Sequence, residues 1–143
     1  MDFNRQAESY DERTGFPSEA IESIVNGLCE LLTDASETVV LELGAGTGTL
    51  GLALAKKVAR YIGMDKSSGM LSQAASSGSL PAEATMLVAD VSEAWPVESG
   101  TVQCFFTSRA LHLFDLDNVC NEVQRTADPA AAVFLVGRVE REP

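Results

Sequence analysis

Val39-Val40-Leu41-Glu42-Leu43-Gly44-Ala45-Gly46-Thr47-Gly48-Thr49-Leu50 is the stretch that decides how this chain reads. Its first five residues are apolar or β-branched apart from Glu42, as in a strand covered on both faces. Three glycines then fall on alternate positions. Glycine has no Cβ, so the chain can turn sharply there and a ligand can come close to the backbone. A helix opening from the turn aims free N–H groups back into it. Strand, glycine turn and helix start together read as a small-molecule site.

Outward from that stretch the same unit recurs. Thr38–Leu43 is the first strand, and a helix at about Thr49–Val58 follows, apolar nearly all round through Leu50, Leu52, Ala53, Leu54 and Ala55. A second strand runs over Arg60–Met64 and ends at Asp65. Ser67-Ser68 then caps a helix carrying Met70 and Leu71. A third strand, Ala84–Ala89, ends at Asp90. Residues 92–100 hold Pro96 and Gly100 and read as a loop or short helix. Val102–Thr107 is the fourth strand, followed by a loop with Leu111, His112 and Leu113 and a helix at Leu116–Thr126. Asp128-Pro129 reads as its stop, and Ala132–Val139 is the fifth strand. Upstream, Ile21, Ile24, Val25, Leu28, Leu31 and Leu32 share one helical face, from Pro17-Ser18 to near Thr33-Asp34. Residues 1–17 are a polar lead-in, and 18–143 form the domain. Strands alternating with helices signal βαβ units and a parallel sheet with right-handed crossovers.

The composition narrows the partners. A chain of 143 residues implies one domain. Net charge is −11 and the sequence pI about 4.4, which argues against nucleic acid and against an anionic membrane surface, since both call for clustered Lys and Arg. No apolar run reaches the ~18–20 residues of a spanning helix. Met1–Tyr10 carries no apolar signal core, so a cytoplasmic setting is expected. Cys29, Cys104 and Cys120 are odd in number and lack C-x-x-C spacing, and His112 is the single histidine. No metal site follows, and buried free thiols are expected.

In open parallel sheets, ligands bind beyond the carboxyl ends of the strands. Those ends carry Gly44–Gly48, Asp65, Asp90 and Ser108, which converge on one crevice. Two frames compete for the ligand. Gly46-Thr47-Gly48-Thr49-Leu50-Gly51 is a formal G-x-G-x-x-G, in which a pyrophosphate sits on the helix start and Asp65 holds a ribose. In the other frame Glu42 stands two residues before Gly44. A carboxylate there repels a pyrophosphate and favours a ligand carrying ammonium and sulfonium charge.

Val40-Leu41-Glu42-Leu43-Gly44-Ala45-Gly46-Thr47-Gly48, Gly63-Met64-Asp65-Lys66-Ser67-Ser68-Gly69-Met70-Leu71, Val88-Ala89-Asp90-Val91 and the loop Ser108-Arg109-Ala110-Leu111-His112-Leu113-Phe114 together resemble the class I S-adenosyl-L-methionine-dependent methyltransferases. The likeness is to the small-molecule subgroup that includes ubiquinone- and menaquinone-pathway enzymes, and it covers about residues 8–139. It implies an α/β, Rossmann-like parallel sheet of order 3-2-1-4-5 with helices on both faces. It implies S-adenosyl-L-methionine as cofactor, S-adenosyl-L-homocysteine as product, and a small-molecule methyl acceptor. By the same resemblance, Gly44, Ala45 and Gly46 pass under the methionyl part and Glu42 faces its amino group, directly or through water. Asp65 accepts from both ribose hydroxyls, and Lys66 and Met70 line the adenine pocket. Asp90 accepts from the adenine amino group while the Val91 N–H donates to the ring. Ser108 offers its carbonyl to the ammonium, Tyr10 closes over the cofactor and Arg13 meets its carboxylate. His112 lies where the acceptor should enter, as a base or as pocket lining.

The family's full sheet has seven strands, and this chain stops after the fifth. Three explanations stand: a fragment of a longer enzyme, completion by a partner or second copy along the fifth strand, or a binding module without activity. A nicotinamide-dependent oxidoreductase, using the offset glycine frame, is the remaining alternative.

Overall fold

The computed structural model describes residues 17–46, 48–76, 80–108 and 110–136. The expectations placed on Tyr10, Arg13 and Arg109 lie outside them, as does the side chain of His112. Helix α1 is Ser18–Leu31, β1 is Val39–Leu43, α2 is Gly51–Ala55, β2 is Arg60–Asp65 and α3 is Ser68–Ser76. Then come β3 at Ala84–Val88, β4 at Val102–Ser108, α4 at Leu116–Thr126 and β5 at Ala127–Val136. Short 3₁₀ turns lie at Ala35–Glu37 and Leu111–Leu113. The five strands form one sheet in the order β3-β2-β1-β4-β5, and every pairing is parallel. The α/β, Rossmann-like expectation holds in class and in strand order.

Alternation along β1 divides its side chains between two cores. Val40 joins Val25 and Leu28 of α1, Leu50, Leu54 and Ala55 at α2, Tyr61, Cys104 and Phe106. Leu41 and Leu43 join Ile62, Met64, Trp95, Val97, Phe105 and Val119 of α4 on the opposite face. Each fully buried large side chain of this kind stabilises the fold by about 1.5–3 kcal/mol. The sheet is therefore a wall between two apolar layers, and its polar work is confined to the strand ends.

Four expectations are corrected. Helix α2 has five residues and does not reach Val58: Lys57 N–H turns back to the Leu54 carbonyl (2.9 Å), and Ala59 N–H already bonds the Thr38 carbonyl (3.0 Å). Uniform apolarity marks burial and says nothing about where a helix stops. Helix α1 ends at Leu31, because Leu32 takes an extended backbone, and Leu31 is 70% exposed and off the packed face. Strand β5 begins at Ala127, directly after α4. Asp128 and Pro129 fall in an irregularity of the β4–β5 register, between the pairs Val102–Ala127 and Cys104–Ala132. Asp128 accepts from the Ala130 N–H (3.0 Å) there, and a bulge is where a strand tolerates a proline that cannot donate. Of the cysteines, Cys104 is buried, Cys29 half-buried and Cys120 exposed. Among the described residues no helix is long and apolar enough to cross a membrane.

Candidate functional site

The carboxyl ends of β1 and β2 are stitched together by the backbone. The Gly44 and Ala45 N–H groups both donate to the Met64 carbonyl (2.9 Å each), and the Gly46 N–H donates to Asp65 Oδ2 at 3.0 Å. The Ser67 N–H donates to Asp65 Oδ1 at 2.8 Å. Asp65 thus pins the glycine turn on one side and the start of α3 on the other. A carboxylate has about four acceptor positions, so both oxygens keep capacity for a ligand.

The glycines serve different ends. Gly44, Gly46 and Gly48 all have positive φ, at 73°, 58° and 82°. A Cβ on Gly44 would meet Phe114 at 2.9 Å and Ala110 at 3.0 Å, so the segment after β4 packs on that backbone. A Cβ on Gly46 would have nothing within 4 Å among the described residues. There the turn presents bare backbone to open space, as a cradle for a ligand does.

Glu42 is buried, at 3% exposure. It sits on the α1–α2 face, where the Tyr61 hydroxyl donates to its Oε1 in a very short hydrogen bond. Gly51, at the start of α2, leaves the room: a Cβ there would collide with Tyr61 Oη and Glu42 Oε1. Burial pushes the Glu42 carboxyl up to about 8, against the pull of the Tyr61 bond and with the nearby Asp65 charge adding to the rise. The Tyr61 hydroxyl is likewise raised, first by burial and then by Glu42. In this structure, therefore, the Glu42 carboxyl is engaged by a tyrosine beneath α2. Tyr61 is the residue that sequence reasoning missed. A tyrosine in an apolar strand needs a partner for its hydroxyl, and that was the available signal.

The other strand ends complete the rim. Asp90 is half-buried, and its Oδ1 accepts from the Ser92 N–H at 2.8 Å. Val91 is 3% exposed, and its carbonyl accepts from Trp95 Nε1 (2.9 Å) and Asn118 Nδ2 (3.0 Å). Met70 is buried and Lys66 exposed. Thr107 Oγ1 donates to the Leu43 carbonyl at 2.9 Å, tying β4 to β1. Ser108 Oγ is buried and, among the described residues, is a side-chain oxygen without a hydrogen-bond partner. Such an orphan at the strand ends suits a polar ligand. The backbone of His112 lies in the Leu111–Leu113 turn that follows β4. Among the described residues no cluster of His, Cys, Asp and Glu could hold a metal ion. Gly44, Ala45, Gly46, Asp65, Asp90, Val91 and Ser108 stand at or just beyond the carboxyl ends of β1–β4, and Glu42 lies one residue inside β1 with Oε1 on Tyr61.

The family described as methyltransferase domain matches residues 40–130. A search of curated proteins returns no match. Among solved structures, a candidate S-adenosyl-L-methionine-dependent methyltransferase from Methanococcus maripaludis superposes with a TM-score of 0.81 at 20% identity, over 96% of this chain and 65% of its own. Phosphoethanolamine N-methyltransferase 2 of Haemonchus contortus, in complex with phosphomonomethylethanolamine and S-adenosylhomocysteine, gives 0.77 at 20% identity, over 92% and 32%. A Haloferax volcanii protein in complex with the Trm112 methyltransferase activator gives 0.75 at 18% identity, over 94% and 59%. At these identities the likeness establishes the fold. The chain spans about two thirds or less of the length of these structures. The family match does not favour the oxidoreductase alternative, and the ubiquinone-like subgroup gains no support from it.

Proposed function

This chain belongs to the methyltransferase-domain family, and from that premise we propose that it binds S-adenosyl-L-methionine at the carboxyl ends of β1–β4, as the cofactor half of an enzyme that methylates a small molecule. The observation that carries this reading is the Asp65 junction, where one carboxylate is fixed between the Gly46 N–H and the Ser67 N–H beside a turn that presents open backbone.

The residues present fit the group. Asp65 would accept from the ribose hydroxyls, with its orientation already set by two backbone donors. Asp90 and the Val91 N–H would meet the adenine edge. Gly44, Ala45 and Gly46 would underlie the methionyl part, and the Ser108 hydroxyl, without a partner among the described residues, would face it with its carbonyl. When bound, the cofactor supplies an electrophilic methyl group on a good sulfur leaving group. The chain's own task is then alignment and exclusion of water, and positioning of this kind is worth up to ~7–11 kcal/mol. His112 follows β4 and belongs to the acceptor side, as a base or as pocket lining. Tyr10 and Arg13 remain proposed as cover for the cofactor. The acceptor is proposed as a small molecule because the charge of −11 disfavours nucleic acid. The cytoplasm suits Cys120, an exposed free thiol. Pairing with a second copy is proposed only along β5, which ends the sheet order.

The test is calorimetric titration of the purified chain with S-adenosylhomocysteine and, separately, with NAD⁺ and NADH. Saturable binding of the first alone is expected. Binding of a nicotinamide nucleotide without a response to S-adenosylhomocysteine overturns the assignment.

A further inference from the structure

The turn after β3 is closed from within by the Glu93 N–H, which donates to the Asp90 carbonyl at 3.0 Å. It is also tied to the start of α4 by side chains that no part of the proposed cofactor contact requires. Asn118 Nδ2 donates to the Val91 carbonyl at 3.0 Å and to the Glu93 carbonyl at 2.7 Å. Ser92 Oγ accepts from the Asp115 N–H at 2.9 Å. The Val91 carbonyl is also held by Trp95 Nε1, and the Asp90 carboxylate folds onto the Ser92 N–H. Asn118 is itself placed by the helix start, where Asp115 Oδ1 accepts from the Asp117 and Asn118 N–H groups (3.1 and 3.3 Å).

We propose that Asn118 is a positioning residue for nucleobase recognition, setting the 90–93 turn so that the site distinguishes a 6-amino purine from a 6-oxo purine. The proposal rests on Asp90 and Val91 meeting the adenine edge, as assigned above. Adenine offers a 6-amino donor and an N1 acceptor. Hypoxanthine offers a 6-oxo acceptor and an N1–H donor. Against a carboxylate acceptor and a peptide N–H donor, both contacts reverse. Rejection of the wrong base is strong only while those two groups stay fixed, because a mobile turn moves the carboxylate aside and lets water fill the mismatch. Two hydrogen bonds from one amide to the carbonyls of residues 91 and 93 fix the peptide planes before Ser92 and after Glu93, and so hold the two residues between them. The Glu93 N–H, inside the segment so held, donates to the Asp90 carbonyl, and the peptide plane of that carbonyl carries the Val91 N–H next to the Asp90 side chain.

The test measures dissociation constants of the full chain for S-adenosylhomocysteine and S-inosylhomocysteine, in wild type, Asn118→Ala and Asn118→Asp, with a thermal melt of each. Asn118→Asp keeps the volume and replaces the amide donor with a carboxylate facing two carbonyls. Wild type is expected to prefer the adenine compound. Both variants are expected to reduce that preference about tenfold, through weaker S-adenosylhomocysteine binding, the loss typical of misplacing one buried polar contact. A role confined to stability lowers the melting temperature and leaves the ratio intact, and that result overturns the proposal in any variant that still folds. If Asn118→Ala does not fold, Asn118→Asp and Ser92→Ala carry the comparison. Wild type that binds neither compound removes the cofactor assignment and this inference with it. Wild type that binds both equally removes only the inference.

Discussion

At the scale of single residues, the Glu42–Tyr61 pair is the least expected feature. A carboxyl group two residues from a glycine turn invites a role toward a ligand's ammonium group, yet here a tyrosine occupies it. The pairing joins residues 19 apart and depends on register: Glu42 lies opposite Gly63, and Val40 opposite Tyr61. No local pattern encodes that register, so the pair was invisible until β1 and β2 were aligned. Its proton has a consequence for stability. The folded state holds the Glu42 proton up to about pH 8, against an ordinary value of 4.5. The folded state therefore binds this proton more tightly than the unfolded chain. The resulting stabilisation is complete below about pH 4.5 and is lost as the pH rises through about 8, by at most about 1.4 kcal/mol per unit. Glu42→Gln removes the titration, so its stability relative to wild type should rise from pH 5 to pH 9 in urea melts. Parallel curves would contradict a buried, titrating Glu42. The glycines give a paired prediction. Gly51→Ala drives a methyl group into Tyr61 and Glu42 and should cost about 1–3 kcal/mol, as overpacking does. Gly27→Ala in α1 meets nothing within 4 Å among the described residues and should stabilise by about 0.5–1 kcal/mol through helix propensity. Equal effects at the two positions would mean that the space beneath α2 is open.

At the scale of elements, the strands were the most legible part, because continuous apolar runs ending in Asp or Gly mark both their burial and their exit. β1 to β4 each lie within a residue of the expected bounds. Helix α4 was equally clear, since Leu116, Val119 and Val123 share a face and Asp115 precedes them. Its cap is real: Asp115 Oδ1 accepts from the first-turn N–H groups. Asp115→Ala should lower stability by about 1 kcal/mol, read as a urea midpoint shift at unchanged slope. No shift would mean that water replaces the cap at no cost. The misjudged elements failed for physical reasons. Helix α2 is stopped by the return of the chain to Thr38, a tertiary bond. The start of β5 was hidden by Asp128-Pro129, a helix stop by composition that β4 accommodates in a bulge. The tie between α4 and the 90–93 turn was likewise beyond reach, since it brings together residues 25 and 27 apart in the chain.

At the scale of the whole molecule, four strands of one parallel sheet end on the same rim, and several of the chain's polar groups stand there. Glu42 and Ser108 are buried polar groups at the ends of β1 and β4, while Asp65 and Asp90 stand half-buried at the ends of β2 and β3. Two apolar layers hold the sheet, so the rim is fixed before any ligand arrives. Such pre-organisation lowers the cost of binding. The central claim is that this rim, through Asp65, holds the ribose of S-adenosyl-L-methionine. Its most direct test is the dissociation constant for S-adenosylhomocysteine in wild type and in Asp65→Ala, measured by calorimetry with a thermal melt to confirm folding. Loss of a charged hydrogen-bonding partner predicts weakening by about 1–3 kcal/mol, roughly 5- to 150-fold. A folded Asp65→Ala protein that binds S-adenosylhomocysteine as tightly as wild type would contradict the claim.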